Sequence, residues 1–260
     1  VSVTGTKQSV EDIARFPEVK SILLDEKKQL PITDSKSLSS EEIEWNIEQI
    51  GVPELWEDGI TGEGVVVAKI DSGVEGNHPA LKRQYRGYNP EDPENPLHEF
   101  NWHDAVFDRK SPMDSDGHGT HTMGTMVGQE ENGENKVGVA PGAKWIATRA
   151  FFDNEGYDSY ILEAAEWVLA PTDENGVPHP EKAPDVVNNS WGGNPIHNDW
   201  FLPMVEAWRS AGIIPVFSVG NAGFFLKPDP GSASAPGNYK EVIAVGATDS
   251  DGNLADFSLR

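Results

Sequence analysis

Four short segments of the chain carry residue types that enzymes use to move protons and to donate hydrogen bonds. They are D-S-G at Asp71, G-H-G-T-H around His118, S-W-G-G at Ser190 and G-N-A-G at Asn221. A carboxylate, an imidazole and an amide in one site could exchange a proton and stabilise a developing negative charge. Such chemistry requires the fold to bring segments that are far apart in the sequence to one place.

Each of these residues also has a structural interpretation. Asp71 follows an apolar run, where an aspartate is often a turn residue or a helix N-cap. His118 could be the polar neighbour of a helix start, and Asn221 suits a left-handed turn. Ser190 could belong to a tight loop before Trp-Gly-Gly. The coincidence of all four at one edge of a sheet favours a functional site over four independent structural roles.

The elements that would position these residues are strands of a parallel sheet. Continuous apolar runs predict strands buried on both faces. The runs are Val65–Ile70, Trp145–Ala147, Val186–Val187, Ile213–Val219 and Val242–Val245. Helical patterns at 161–169 and 200–208 alternate with them. The alternation predicts a three-layer α/β fold with a mostly parallel sheet and helices on both faces, in which functional residues gather at the carboxyl ends of strands.

The less regular parts of the chain are predicted to be loops and a separate N-terminal segment. Alternation over 1–6 and an apolar run at 19–24 predict two strands, and between them Ser9 is the expected N-cap of a short helix that Pro17 ends. Charged, Ser-rich residues 26–40 predict a linker, with a boundary near 31–40. The predicted surface loops lie at 89–116 and 170–183.

The composition is that of an acidic, folded protein without cysteine. Lys and Arg total 20 against 43 Asp and Glu, so the net charge is −23. Such a surface repels phosphate backbones and argues against nucleic acid as the main partner. No apolar stretch approaches the ~18 residues of a membrane span. The absence of cysteine excludes disulfides and is compatible with a secreted bacterial protein, whose signal peptide would then lie outside this sequence.

Together the motifs resemble those of the subtilisin-like serine proteases, the subtilases. The four segments occur in the family's order, and G-V-A-P-G at 138–142 agrees with it. The resemblance implies that residues 40–260 are the N-terminal portion of a subtilisin-like catalytic domain. It also implies that residues 1–35 are the C-terminal part of an inhibitory propeptide, a partial β-α-β segment followed by a linker.

The resemblance implies a serine endopeptidase that hydrolyses peptide bonds in protein or peptide substrates by a Ser-His-Asp mechanism. His118 would be the base and later the acid, Asp71 would orient and stabilise its imidazole, and Asn221 would donate to the oxyanion. The substrate backbone would pair, as an added strand, with three consecutive residues. These are Ser190, Trp191 and Gly192.

The remaining histidines receive no catalytic role from the resemblance. His121 is expected to be structural, because the family motif uses the first histidine. His78 and His103 are expected to be surface or loop residues. A metal-dependent hydrolase built on His118, His121 and an aspartate is a further alternative, but the chain lacks H-E-x-x-H and has no general-base glutamate beside the pair.

The chain departs from the family where the nucleophile is expected. Subtilases carry it in a G-T-S-M-A segment, which this sequence lacks, and none of the serines after Asn221 has that context. Those serines are Ser232, Ser234, Ser250 and Ser258. We therefore expect the nucleophile on a second polypeptide or beyond a truncation, and we expect this chain alone to be inactive. A retained propeptide-like segment fits either this arrangement or an unprocessed zymogen.

Cofactor expectations are limited to calcium. The chemistry implied by the resemblance needs no cofactor, and no metal ligands can be named. Residues 129–139 correspond to a loop that binds calcium in many subtilases, and their Asn and Glu oxygens suit a hard cation. A solvated acidic loop is the alternative. The non-enzymatic alternative is an inert fragment or pseudoprotease that binds peptides through residues 190–193.

Overall fold

The centre of the molecule is a parallel sheet. A computed structural model describes residues 2–30, 43–133, 135–192, 198–223 and 228–260. Its strands are β1 (Lys27–Gln29), β2 (Val66–Asp71), β3 (Trp102–Asp104), β4 (Lys144–Arg149), β5 (Phe151–Phe152), β6 (Glu155–Tyr157), β7 (Val186–Asn189), β8 (Ile214–Ser218) and β9 (Ile243–Val245). Six of them form one sheet in the order β3-β4-β2-β7-β8-β9, with every neighbouring pair parallel. The other three form a small antiparallel sheet in the order β1-β6-β5.

Helices cover both faces of the parallel sheet. The helices of the described residues are α1 (Lys7–Ile13), α2 (Trp45–Gln49), α3 (Val52–Glu57), α4 (His118–Val127), α5 (Asp158–Leu169) and α6 (Leu202–Ser210). Trp145 of β4 packs in the same cluster as α4, whereas its neighbour Ile146 packs in the cluster of α5 and α6. Because successive residues of a strand point to opposite faces, these two clusters lie on opposite sides of the sheet. The predicted three-layer α/β fold is confirmed.

The five strands predicted for the central sheet are all present, and β9 departs most from the expected burial. The run at 242–245 was expected to be buried on both faces, but β9 is exposed, with Ile243 54% and Val245 48% accessible. β9 is the last strand in the order of the described sheet, so it has a neighbour on one side alone. Within the described residues, no helix has the length and apolar character needed to cross a membrane.

The predictions for the N-terminal segment are partly wrong. Residues 2–6 and 19–24 form no strand and pair with none of the described strands, and Leu23 and Leu24 are largely exposed. The helix starts earlier than expected, with the side chain of Thr6 accepting from the backbone N–H of Ser9 at 3.2 Å. The segment from 26 is not simply a linker, because β1 pairs with β6. The boundary expected at 31–40 lies outside the described residues.

The loop predicted at 89–116 contains strand β3, which sequence patterns did not predict. β3 pairs in parallel with β4, and a buried ion pair joins the two strands. Nε of Arg149 donates to Asp104 at 2.9 Å, and a second guanidinium nitrogen contacts the other carboxylate oxygen. Backbone N–H groups at 106, 107 and 109 also donate to Asp104. The strand is therefore held by charge and hydrogen bonds more than by an apolar pattern.

We predict that Asp104→Asn lowers the free energy of unfolding by about 3–5 kcal/mol, because it leaves Arg149 buried without a counter-charge. Burial acts to raise the pKa of Asp104, but Arg149 and the backbone donors lower the pKa overall. A carboxylate with a lowered folded pKa stabilises the fold above about pH 4, and this contribution disappears as pH falls through the folded value. Denaturant unfolding between about pH 2 and pH 7 should show a flatter acid decline in the variant than in the parent chain.

Asp108→Asn is the matched control for this prediction. The Asp108 side chain is 79% exposed, and its backbone φ of 56° is in the left-handed region that asparagine tolerates. This variant should stay within about 0.5 kcal/mol of the parent chain. Equal stability of the Asp104 and Asp108 variants would show that the buried ion pair does not hold β3 in place.

Candidate active site

The segments singled out in the sequence converge on one edge of the parallel sheet. β2 ends at Asp71, β7 ends one residue before Ser190, and β8 ends three residues before Asn221. Because β2, β7 and β8 are adjacent and parallel, their carboxyl ends lie at the same edge. Helix α4 begins at His118 and packs against β2, which brings the imidazole to this edge.

Asp71 and His118 form a buried hydrogen-bonded pair. Nδ1 of His118 lies 2.6 Å from Oδ1 of Asp71, and the two side chains are 5% and 0% exposed. An ionised carboxylate can only accept, so the Nδ1 atom carries the proton and Nε2 is left as an acceptor in the neutral ring. The pair therefore has a fixed tautomer and an orientation set by the carboxylate.

The glycine after His118 makes this close approach possible. A Cβ at Gly119 would lie 1.9 Å from the carbonyl oxygen of Gly73, so only glycine fits where α4 meets the end of β2. The backbone N–H of Gly119 also donates to the hydroxyl of Ser72 at 2.9 Å. The second glycine of the G-H-G pattern is thus explained by packing.

The Asp71 carboxylate is surrounded by donors although it has no solvent contact. The backbone N–H of Ser72 donates to Oδ1 at 2.7 Å, and Nζ of Lys69 lies 3.0 Å from Oδ2 as an ion pair without hydrogen-bond alignment. Burial acts to raise the pKa of Asp71, but Lys69, His118 and Ser72 together hold the pKa below its ordinary value. Asp71 is therefore an anion throughout the neutral pH range.

Lys69 is a site residue that the sequence analysis missed. Its side chain is fully buried on β2, two residues before Asp71. Nζ donates to Oδ1 of Asn188 at 2.7 Å and lies 3.4 Å from the hydroxyl of Ser190, which itself donates to Asn188 at 3.0 Å. The signal in the sequence was the single charged residue inside the apolar run at 65–70. A lysine in a strand that is covered on both faces requires a hydrogen-bond or ion-pair partner.

The loop before α4 is held by two aspartates. Asp114 accepts from the backbone N–H of Asp116, Gly117 and Thr120 and from the Thr120 hydroxyl at 2.6–3.1 Å. The Asp116 carboxylate accepts from the backbone N–H groups of 153 and 154 at 3.1 and 3.2 Å. The start of α4 is thereby tied to the turn between β5 and β6.

The other predicted site residues lie at the same edge, in different environments. Asn221 is exposed, and its backbone bridges to Ser258. Trp191 is 1% exposed and packs edge-on against Phe201 and Phe217, so its side chain belongs to the core. Gly192 is half-buried, and residue 193 lies outside the described residues. The proposed pairing of 190–192 with a substrate backbone stays a prediction.

His121, His78 and His103 do not join the pair of Asp71 and His118. His121 and His78 are exposed, and His78 accepts from the backbone N–H of Ala80 at 3.2 Å. His103 was expected in a loop, but it lies in β3, where it stacks on Trp167 and contacts Glu163 at 3.0 Å. The short strand was missed because its neighbours in sequence are polar.

No serine of the described residues is hydrogen-bonded to His118. The hydroxyls of Ser232 and Ser234 donate to backbone carbonyls at 3.3 and 3.2 Å. The Ser258 hydroxyl accepts from the N–H of residue 247 at 3.0 Å, and Ser250 is exposed. The three buried hydroxyls are used in holding the backbone around Asn221.

The described residues contain no group of three or more His, Cys, Asp or Glu side chains placed to hold a metal ion. In the segment 129–139, of which residue 134 is not described, Oε1 of Glu130 accepts from Nδ2 of Asn135 at 2.7 Å. This contact satisfies one oxygen that calcium would use, and a bound calcium stays a prediction.

Comparison with known proteins identifies the family. The sequence profile described as the Subtilase family matches residues 62–260. The chain belongs to the subtilase family. This assignment agrees with the resemblance of its motifs and with the six-stranded α/β sheet.

Three relatives show how the chain compares with whole subtilases. It is 52% identical to Bacillopeptidase F of Bacillus subtilis (strain 168) over all of its length, which is 19% of that protein. It is 34% identical over 92% of its length to Minor extracellular protease Vpr of the same organism, covering 27% of that protein. Subtilisin BL of Lederbergia lenta is 31% identical over 84% of the chain and 68% of its own length. The chain thus spans a fifth to about a quarter of the first two relatives.

We predict that Lys69 and Asp71 are energetically coupled. Lys69→Met and Asp71→Asn should each cost about 3–5 kcal/mol of unfolding free energy, because each leaves the other charge buried without its partner. The double variant should be less destabilised than the sum of the two, by about 0.5–3 kcal/mol. Equilibrium denaturation of the four chains measures this coupling.

Lys240→Met is the control for the cycle, since Lys240 is 91% exposed. It should change stability by less than about 0.5 kcal/mol and add independently to Asp71→Asn. Strict additivity of the Lys69 and Asp71 variants would contradict the assignment of their contact as an ion pair.

Proposed function

We propose that this chain supplies the acid–base pair and the oxyanion donor of a secreted serine endopeptidase. The observation that carries the proposal is the buried 2.6 Å contact between His118 and Asp71 at the edge where Asn221 also lies. Family membership supports serine protease chemistry on protein or peptide substrates.

The pair can move a proton in both directions. With Nδ1–H held by Asp71, Nε2 of His118 takes the proton of an attacking serine hydroxyl, and the buried carboxylate stabilises the imidazolium that forms. The imidazolium then returns the proton to the leaving amine of the cleaved peptide bond. Asp71 stays ionised in this scheme, which agrees with the donors that lower its pKa.

Asn221 and the segment after β7 would bind the reacting peptide. The exposed Asn221 amide would donate to the oxyanion of the tetrahedral intermediate. The backbone of Ser190, Trp191 and Gly192 would pair with the substrate as an added strand, with the buried Trp191 ring holding this segment in place.

We propose that the attacking serine lies outside this sequence, on a second polypeptide or further along a longer chain. The buried serines near Asn221 support this, because their hydroxyls are bonded to backbone groups. Exposed apolar side chains also occur on β9, the last strand of the described sheet, where Ile243 and Val245 are 54% and 48% accessible. Edge strands with apolar side chains are ready to pair with further chain.

The same interpretation covers the N-terminal segment and the location of the protein. Residues 1–35 would be a retained propeptide-like segment, and 40–260 the first part of the catalytic domain. A relative named as an extracellular protease and the absence of cysteine support secretion. The alternative, an inert peptide-binding fragment, has the same residues without a nucleophile, and no observation favours it over the protease.

We predict that a serine-directed phosphonate adds no covalent mass to this chain alone, because none of its described serines is activated by His118. Intact-mass spectrometry after labelling measures this, and trypsin treated in parallel confirms that the reagent is active. A labelled serine on this chain would contradict the proposal that the nucleophile lies elsewhere.

We predict that Asn221→Ala lowers kcat of the enzyme completed by its serine-bearing segment by about 10²–10³-fold, with a smaller effect on KM, because the amide acts on the transition state. Peptide hydrolysis under steady-state conditions measures both constants. Asn175→Ala, in an exposed loop, is the control and should leave kcat unchanged. An Asn221 variant with parental kcat would remove this residue from the mechanism.

A further inference from the structure

The N-terminal strand β1 lies along β6 as an added antiparallel strand. Lys28 is opposite Gly156 in the register, the N–H of Leu30 donates to the carbonyl of Asn154 at 2.8 Å, and the N–H of Asp158 donates to the carbonyl of Glu26 at 3.0 Å. Because β6 lies between β1 and β5, it becomes an edge strand whenever β1 leaves. The structure thus shows an extended peptide seated on a sheet edge.

Alternate side chains of the seated strand point into the domain. Lys28 and Leu30 are buried at 6% and 3% exposure, whereas Lys27 and Gln29 face solvent. Leu30 joins the apolar cluster that also contains Trp191 and Ile161. The edge therefore receives two side chains of the occupant, one basic and one apolar, two residues apart.

The basic side chain enters a pocket built for a cation. Nζ of Lys28 lies 3.3 Å from Oδ1 of Asp158 and 5.5 Å from the centre of the Trp200 ring. It also contacts Glu26 at 2.8 Å, but Glu26 moves with the occupant. Asp158 and Trp200 belong to the domain, and a carboxylate with an aromatic face attracts an ammonium or guanidinium group.

The negative charge of the Asp158 carboxylate is balanced by the ammonium group of Lys28. Among the described residues, its Oδ1 is buried and accepts no hydrogen bond, so the ammonium of Lys28 is the charge that balances it. Burial raises the pKa of Asp158, and Lys28 acts in the opposite direction. An apolar side chain in the pocket would leave the carboxylate desolvated without a partner.

The seated strand leads toward the catalytic pair. The residue that accepts from Leu30, Asn154, is itself bonded to Asp116, two residues before His118. An extended peptide on β6 therefore runs from the Asp158 pocket to the loop that carries the imidazole. A substrate bound there would meet the pocket several residues before the bond presented to His118.

We propose that Asp158 and Trp200 form a specificity pocket that selects a lysine or arginine in the substrate peptide, followed two residues later by an apolar side chain. In the chain itself, Lys28 of β1 occupies this pocket in the way that the substrate side chain would. The proposal rests on the proposed protease function, which supplies the substrate, but the selection itself is testable without cleavage.

Native-state hydrogen exchange of the full chain tests the selection. The Leu30 and Asp158 amides report opening of β1 from β6. Lys28→Met should increase their exchange roughly tenfold to a hundredfold, the range for losing a charge-assisted contact. Lys28→Arg should keep protection, and Gln29→Ala, at a solvent-facing position of the same strand, should change it less than threefold. Asp158→Asn should raise exchange in the parent chain but not in the Lys28→Met chain.

Unchanged protection in Lys28→Met, or an effect of Asp158→Asn that persists without Lys28, would overturn the pocket. The completed enzyme then tests its use on substrates, with two peptides that differ in lysine against norleucine at this position. The lysine peptide should have the higher kcat/KM, and Asp158→Asn should abolish the difference. Equal cleavage of both peptides by the parent enzyme would overturn the proposal, whereas cleavage of neither would count against the protease function alone.

Discussion

A carboxylate without solvent contact has to be compensated by donors and positive charge, and Asp71 meets this requirement at the end of a central strand. Its oxygens contact His118, the Ser72 backbone and Lys69, which come from a helix, a turn and the strand itself. The arrangement depends on β2 and α4 keeping their positions, and Gly119 allows the helix to come close enough. The position and orientation of the His118 imidazole therefore follow from the packing of α4 against the buried strand β2.

Sequence patterns predicted the central sheet because its strands are covered on both faces. A strand in that environment is a continuous apolar run whatever its neighbours are, and β2, β4, β7 and β8 could be predicted on this basis. The convergence of the motif residues could also be predicted, because the carboxyl ends of adjacent parallel strands lie at the same edge of the sheet. The contact between Asp71 and His118 agrees with this expectation, although their roles in a reaction stay proposals.

The short strands could not be predicted, because partners rather than patterns stabilise them. β3 depends on the ion pair between Asp104 and Arg149, and β1 depends on β6 and on the pocket that receives Lys28. Both contacts join residues more than forty positions apart, which periodicity does not detect. Lys69 was missed for a different reason, because an apolar run of the expected length contained one charge, and periodicity does not show that Asp71 and Asn188 compensate it.

The covalent connection of β1 to the rest of the chain affects how often β1 occupies the edge of β6. A covalently tethered strand is present at an effective concentration that dilution does not change. One backbone cut between Leu30 and α2 would convert the same contact into a bimolecular equilibrium. Occupancy would then follow the total protein concentration, and a dilute solution would empty an edge that a concentrated one keeps filled.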